Sequence, residues 1–347
     1  MARLQAFPPA ASATVEALAK FAFVAATRTG LACVAQDVDG AWALEALMDG
    51  GDVRGLAVDP LSPGVVYAGT SNRGLFRSTD GGRTWGFAGL QGLTIRSVAV
   101  SPARSGMVVV GTKPPGLFVS YDSGATWQEL PAFRQRRKWW WFTPAEPGAP
   151  YVQAIALSPT DPDVMLAGVE LGGVLRSDDG GATWSNHRKG AMLDCHTLLF
   201  HAHDERWVYQ GGGSGSGAAV SQDTGRTWAQ PRRGLAAHYG WAVAADAVHP
   251  EVWYMAVAAN PSKAHGGGPA MAHIYRAAAG ASWERIAGPL DGMPYALITH
   301  AALPGYLIAG LGNGRIMLSA NQGDTWEMLP FELGSLARNL VMVQRPM

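Results

Sequence analysis

Apolar residues run along this chain in short, punctuated stretches that repeat in one order. An apolar run ends in Ser-Pro or Asp-Pro, a second ends near Ala-Gly-Thr, a third opens on Gly, and a polar turn leads into a fourth. The first complete example starts at Val53-Arg-Gly-Leu-Ala-Val58 and closes on Asp59-Pro60; Val65–Gly69 and Gly74–Arg77 follow, and a last run comes after Trp85. Short apolar runs bounded by Gly, Pro, Ser and Asp are the pattern of β-strands joined by tight turns. Each unit therefore predicts a four-stranded antiparallel sheet. Further first strands are predicted near Ile95, Val152, Cys195, Gly240, Pro294 and Ala337.

The polar turn sets the period. Ser78-Thr-Asp80-Gly-Gly82-Arg-Thr84-Trp85 has the form Ser-x-Asp-x-Gly-x-Thr-Trp, which returns at Ser120–Trp127, Ser177–Trp184 and Ser221–Trp228. Ser319–Trp326 has Asn for Asp, Arg276–Trp283 keeps only Gly and Trp, and Asp39-Gly-Ala-Trp42 is a shortened copy. Asp accepts backbone N–H groups across such a turn, Gly supplies a positive φ, and Trp buries a large apolar area between neighbouring sheets. Successive tryptophans stand 42 to 44 residues apart, except 57 between Trp127 and Trp184 and 55 between Trp228 and Trp283, which places longer loops at about 133–150 and 259–272. Residues 337–344 lack a following hairpin, whereas residues 21–47 lack a preceding first strand. Together they complete a seventh sheet and leave no open edge. The predicted fold is all-β, a seven-bladed β-propeller spanning 20–347 as one domain. Residues 1–19 are read as a packed extension with a short helix near Val15–Lys20.

The turn residues resemble the Asp-box, or bacterial neuraminidase repeat, of sialidases, xyloglucan-degrading glycosidases, sortilin-type receptors and the propeller factor that assists photosystem II assembly. The resemblance covers nearly the whole chain. It implies the propeller; function differs among these families. Sialidases hold a carboxylate with three arginines and use a Tyr–Glu nucleophile pair, which directs attention to Tyr295 and Glu170. Two departures keep those roles from being carried over: seven blades are counted where sialidases have six, and no Arg-Ile-Pro segment precedes the first box.

Charge narrows the partners. Twenty-seven basic and 27 acidic residues cancel, so no global field draws the protein to nucleic acid or to an anionic membrane. No run of 18 apolar residues predicts a membrane span. Residues 1–19 do not read as a leader, and a cytoplasmic location is expected. Cys33 and Cys195 fall in distant repeats and are expected as free buried thiols.

Candidate chemistry gathers where first strands enter the central channel and where second and third strands connect. Aligned first strands place Arg54, Arg96, Gln153, His196, Trp241, Tyr295 and Arg338 around this mouth, with Lys113 in a neighbouring loop. Three arginines from consecutive blades favour an anionic ligand, because guanidinium is a planar fork matched to carboxylate or phosphate; pairing with loop acids such as Asp52 is the plain alternative. Glu170, Asp194, His196, His238 and His265 face the same mouth from the other side, as acid and base or as ligands of a divalent metal. No His-x-x-x-His spacing supports a metal, and no cofactor is expected. The 134–142 loop sets four cations beside three tryptophans, Trp140 among them, as a stacking surface or a packed lid. Gly211–Gly217 opens no helix and is a hairpin loop. His201, His203, His249 and His300 are expected at the rim.

The sequence thus predicts a carboxylate-bearing small molecule or saccharide at the mouth, with His196, His238, Glu170 and Tyr295 as catalytic candidates for hydrolysis or elimination. The alternative is a non-catalytic scaffold that meets protein partners through the same basic and aromatic face.

Overall fold

The computed structural model describes residues 4–9, 13–37, 39–48, 50–138, 141, 150–278, 282–336 and 339–345. Among them the strands form seven antiparallel sheets. The innermost strands are Val53–Asp59, Thr94–Val100, Val152–Leu157, Thr197–His201, Tyr239–Ala245, Pro294–His300 and Leu340–Gln344, for blades one to seven. Each matches a predicted first strand.

Blade seven is built from both ends of the chain. Leu340–Gln344 pairs antiparallel with Phe21–Thr27, with Phe21 opposite Gln344 and Ala25 opposite Leu340. Strands Gly30–Gln36 and Ala41–Leu47 follow outward. A fifth strand, Leu4–Pro9, covers the outer edge of Ala41–Leu47. The helix expected at 15–20 is one turn, Ala13–Glu16. Leu4–Pro9 was not read as a strand because no repeat precedes it to set its register.

Blades three and four depart from the four-stranded expectation: each has three regular strands among the described residues. In blade three the N–H groups of the outer edge are met by side chains, while its carbonyls accept from backbone N–H groups. Arg176 N–H donates to Ser185 Oγ at 2.9 Å and Val174 N–H to His187 Nδ1 at 3.2 Å, where a fourth strand would offer carbonyls. In blade four only the Val220–Ala229 bridge forms; Pro231, two residues on, has no N–H to continue a ladder.

The polar turns share one hydrogen-bond pattern. Ser120 Oγ donates to Asp122 Oδ1 and accepts from Gly124 N–H, each at 2.8 Å. Asp122 accepts from Thr126 N–H at 2.8 Å and from Thr126 Oγ1 at 2.6 Å. The same bonds recur around Asp80, Asp179 and Asp223, while Asn321 Nδ2 donates to Thr325 Oγ1 instead. These bonds favour the ionised carboxylate: Asp122 is pulled down to about 2, first by the Thr126 hydroxyl. The turn glycine has two duties. Gly82 and Gly181 sit at φ +90° and +89°, and an added Cβ would press within 2.6 Å of Val24 and 2.7 Å of Leu130 respectively, both on the preceding blade. Trp indoles complete the join between blades: Trp127 Nε1 donates to Ala88 O at 2.8 Å and Trp326 Nε1 to Ile286 O at 3.1 Å. Trp42 is fully buried against Phe331, their rings 4.8 Å apart.

Cys33 and Cys195 are free and buried, and burial pushes the Cys33 thiol up to about 11. No helix among the described residues is long and apolar enough to cross a membrane.

Candidate functional site

The mouth residues share a local device. Opposite the second strands, pairing jumps from Val53 to Gly55, from Val152 to Ala154 and from Pro294 to Ala296, so Arg54, Gln153 and Tyr295 each stand in a β-bulge. Arg96 is skipped in the same way between Ile95 and Ser97, and Trp241 lies in a shifted stretch between Gly240 and Val243. A bulge adds one unpaired residue and re-aims its side chain. Close blade approach accompanies it: a Cβ on Gly69 would overlap Ile95, and one on Gly168 would overlap Cys195, which accounts for glycine near the ends of the second strands.

A cavity of about 1010 Å³ opens here, lined by starts of inner strands and by loops between second and third strands, and by no residue of the polar turns. Its walls differ chemically. On the side of blades seven, one and two, Arg28 and Arg54 line it. Arg54 pairs with Asp52 at 2.5 Å, the loop-acid pairing that the sequence allowed. Arg96 is buried, its guanidinium 3.7 Å above the ring centre of Tyr151, which lines the cavity. Lys113 is half-buried; burial first, then Arg96 and Arg54, depress its pKa. These three cations therefore share one field. Arg338 and Trp140 lie outside the described residues. Asn339 Nδ2 donates to Arg54 O at 2.6 Å, which joins blade seven to blade one at the mouth.

Glu170, Asp194 and His196 form the wall of blades three and four. His196 Nδ1 lies 2.8 Å from Gly240 O. Its Nε2 faces Asp194 Oδ1 at 3.2 Å and Glu170 Oε2 at 4.0 Å. Burial alone would lower the His196 pKa, but the hydrogen bond to Asp194, the charges of Asp194 and Glu170 and the Gly240 carbonyl together raise it. The cluster can hold a proton or a cation.

Aromatic groups of blades five and six form the third wall. Trp241 packs on His196 with ring centres 4.3 Å apart. The insertion after Ala258 forms a short helix, Pro261–His265, capped by Asn260 Oδ1 accepting from Lys263 N–H. It delivers His265 between two phenols, with Nε2 2.7 Å from Tyr239 OH and Nδ1 2.8 Å from Tyr295 OH. Tyr295 OH donates to Ala264 O at 2.9 Å. The directions are then fixed: His265 Nδ1–H donates to Tyr295, and Tyr239 donates to His265 Nε2.

The mouth thus gathers Arg54, Glu170, Trp241, His265 and Tyr295 around the cavity, with His196 and Arg96 directly behind its lining. His238 is exposed and outside the lining. Gln153 is half-buried, its Oε1 without a hydrogen-bond partner. Trp141, from the tryptophan loop, is buried near Phe133 as a packed residue. His201 is buried rather than at the rim, its Nε2 3.0 Å from Asp246 O. Sequence reasoning missed Arg28, Tyr151 and Tyr239. Arg28 stands in the hairpin between second and third strands of blade seven, so the loop rule applied to that blade would have found it.

The fold and mouth define the class, a seven-bladed β-propeller. No protein-family model matches the sequence, and no curated protein matches it. Among solved structures, it resembles a GH74 xyloglucanase from Xanthomonas campestris at 20% identity and TM-score 0.60, covering 80% of this chain and 45% of that one. An ancestral GH74 enzyme matches at 16% and 0.56, over 84% of this chain and 38% of that one. The chain thus spans less than half the length of these enzymes. YCF48 bound to D1 peptide matches at 14% and 0.57, over 98% of this chain and all of the other. At such identities the likeness establishes the fold alone.

Proposed function

We propose that the mouth binds a carboxylate-bearing small molecule or saccharide. The carboxylate meets Arg54 at the cavity wall, with Arg96 and Lys113 behind it adding to the positive field, and the body of the ligand lies against Tyr151, Trp241 and Tyr295. The observation that carries this reading is the gathering of those cations from two blades at one side of the cavity, where burial and, after it, the charges of Arg96 and Arg54 depress Lys113. An anion there relieves their mutual repulsion through charge-assisted hydrogen bonds, each about 1.5–3 kcal/mol. Titration calorimetry with oligogalacturonate, N-acetylneuraminate and the matching neutral sugars tests it, with product analysis on the same mixtures reporting any turnover. Acidic ligands are expected to bind at least tenfold more tightly than neutral ones; equal affinities, or no binding, overturn the proposal.

A second reading, a scaffold for an acidic peptide, is favoured by the end-to-end match to a propeller solved with a peptide. An acidic peptide in the same titration separates the two: tight peptide binding with no binding of small acids selects the scaffold.

A further inference from the structure

We propose that Glu170, Asp194 and His196 bind a divalent transition-metal ion, Zn²⁺ or Mn²⁺, beside the cavity.

The argument begins with the imidazole. Gly240 O only accepts, so the contact at 2.8 Å places a proton on His196 Nδ1. In the neutral ring Nε2 then carries a lone pair, and that lone pair faces Asp194 Oδ1 at 3.2 Å with Glu170 Oε2 at 4.0 Å. Three electron-rich atoms face one another stably only around a positive centre, a proton on Nε2 or a metal cation that displaces it. A ring whose far N–H is held by a backbone carbonyl is oriented as metal-binding histidines are.

Asp194 supplies the independent observation. The residue is 9% exposed, and with Nε2 unprotonated its Oδ1 has no hydrogen-bond donor. A buried acceptor left in that state is costly, and it points at the same spot as His196 Nε2. Its placement is enforced from behind, because a Cβ on Gly213 would overlap Asp194 Oδ2 and come within 3.1 Å of His196 Cε1. Asp194 N–H is held in turn by Ser214 Oγ at 3.3 Å.

The dimensions fit. One donor atom from each residue lies within 4.8 Å of the others. Two ligands at about 2.0 Å from a tetrahedral ion stand about 3.3 Å apart, close to the His196–Asp194 separation. Glu170, half-buried on a longer side chain, has only to close the remaining gap. One imidazole with two carboxylates suits Zn²⁺ or Mn²⁺ better than Mg²⁺, which prefers oxygen and retains its water. Glu170 and Asp194 also line the cavity, which leaves a coordination position open toward it.

The test uses the full chain stripped by chelator and dialysed against Zn²⁺, Mn²⁺ or Mg²⁺, with bound metal counted by mass spectrometry. One Zn²⁺ or Mn²⁺ per chain is expected, with Mg²⁺ at least tenfold weaker. Electron spin echo of the Mn²⁺ form should show one imidazole nitrogen, lost in His196→Gln. Asp194→Asn should weaken binding about 100-fold and Gly213→Ala, acting through Asp194, about 10–100-fold. Should buried variants fail to fold, the wild-type stoichiometry and nitrogen signal, with the milder Glu170→Gln, still decide. No bound ion at millimolar metal, a bound ion without the nitrogen signal, or equal binding in Glu170→Gln and wild type overturns the proposal. None of these readouts involves the anion, so the proposed function stands or falls separately.

Discussion

The two rims of this propeller are built on opposite principles. On the turn rim, Asp80, Asp122, Asp179 and Asp223 each accept from a Thr hydroxyl at 2.6 Å. On the mouth rim the corresponding positions are Arg, Arg, Gln, His, Trp and Tyr in blades one to six, most of them on bulges. One rim repeats because every blade must join its neighbour in the same way. The other varies because its side chains leave the ladder, and the contacts they make to the next blade differ from blade to blade. Stability is therefore concentrated in the repeated rim, and the proposed ligand site lies in the varied one.

Removing residues 337–347 would break the comparison most severely. It leaves Phe21–Thr27 with an open edge and exposes the Phe23–Trp42–Phe331 cluster; loss of cooperative thermal unfolding is the expected result. Gly181→Ala comes next, since it combines a strained φ with a clash against Leu130; a cost of about 2–4 kcal/mol is expected by chemical denaturation. On the other rim Arg96→Ala should cost only about 1 kcal/mol, from the lost stack on Tyr151. The same change should weaken binding of an acidic ligand about tenfold, and Arg96→Lys should restore it only in part, because the planar fork is absent. If Arg96→Ala destabilises as much as Gly181→Ala, the division between the rims fails.

The smallest effect is a pH dependence confined to the turns. Their carboxylates are depressed in the folded state, Asp122 to about 2. Their contribution is thus complete above the ordinary carboxylate value and is lost as pH falls through the depressed folded-state values, about 2 for Asp122. Melting temperature followed from pH 5 to pH 2 should drop less steeply in Asp122→Asn, which mimics the natural Asn321 turn.

Why the fold was legible follows from Trp85, Trp127, Trp184 and Trp228: each marks the same three-dimensional junction, so spacing in sequence became position in the ring. The mouth was legible only as a set of positions. Counting along the strands located Arg54, Trp241 and Tyr295, but not the carbonyl of Gly240 that fixes the His196 tautomer, nor the phenols that clasp His265. The first and last of those contacts cross between blades, at sequence separations of 44 and 30 residues, and Tyr239–His265 spans 26 residues within blade five; no local pattern encodes them. His238 illustrates the converse: one residue before a buried strand, it is exposed and does not line the cavity.

The seam in blade seven also sets a timetable. Phe21–Thr27 leaves the ribosome ahead of blades one to six, and its partner Leu340–Gln344 follows them. At about 5–20 residues per second, that inner edge waits on the order of 15–60 s for its permanent neighbour. During that interval the nascent chain carries an apolar strand that any chaperone, or any second nascent copy, can reach. Linking the present termini and opening the chain between two other blades would move that wait to a different sheet while leaving the finished ring the same.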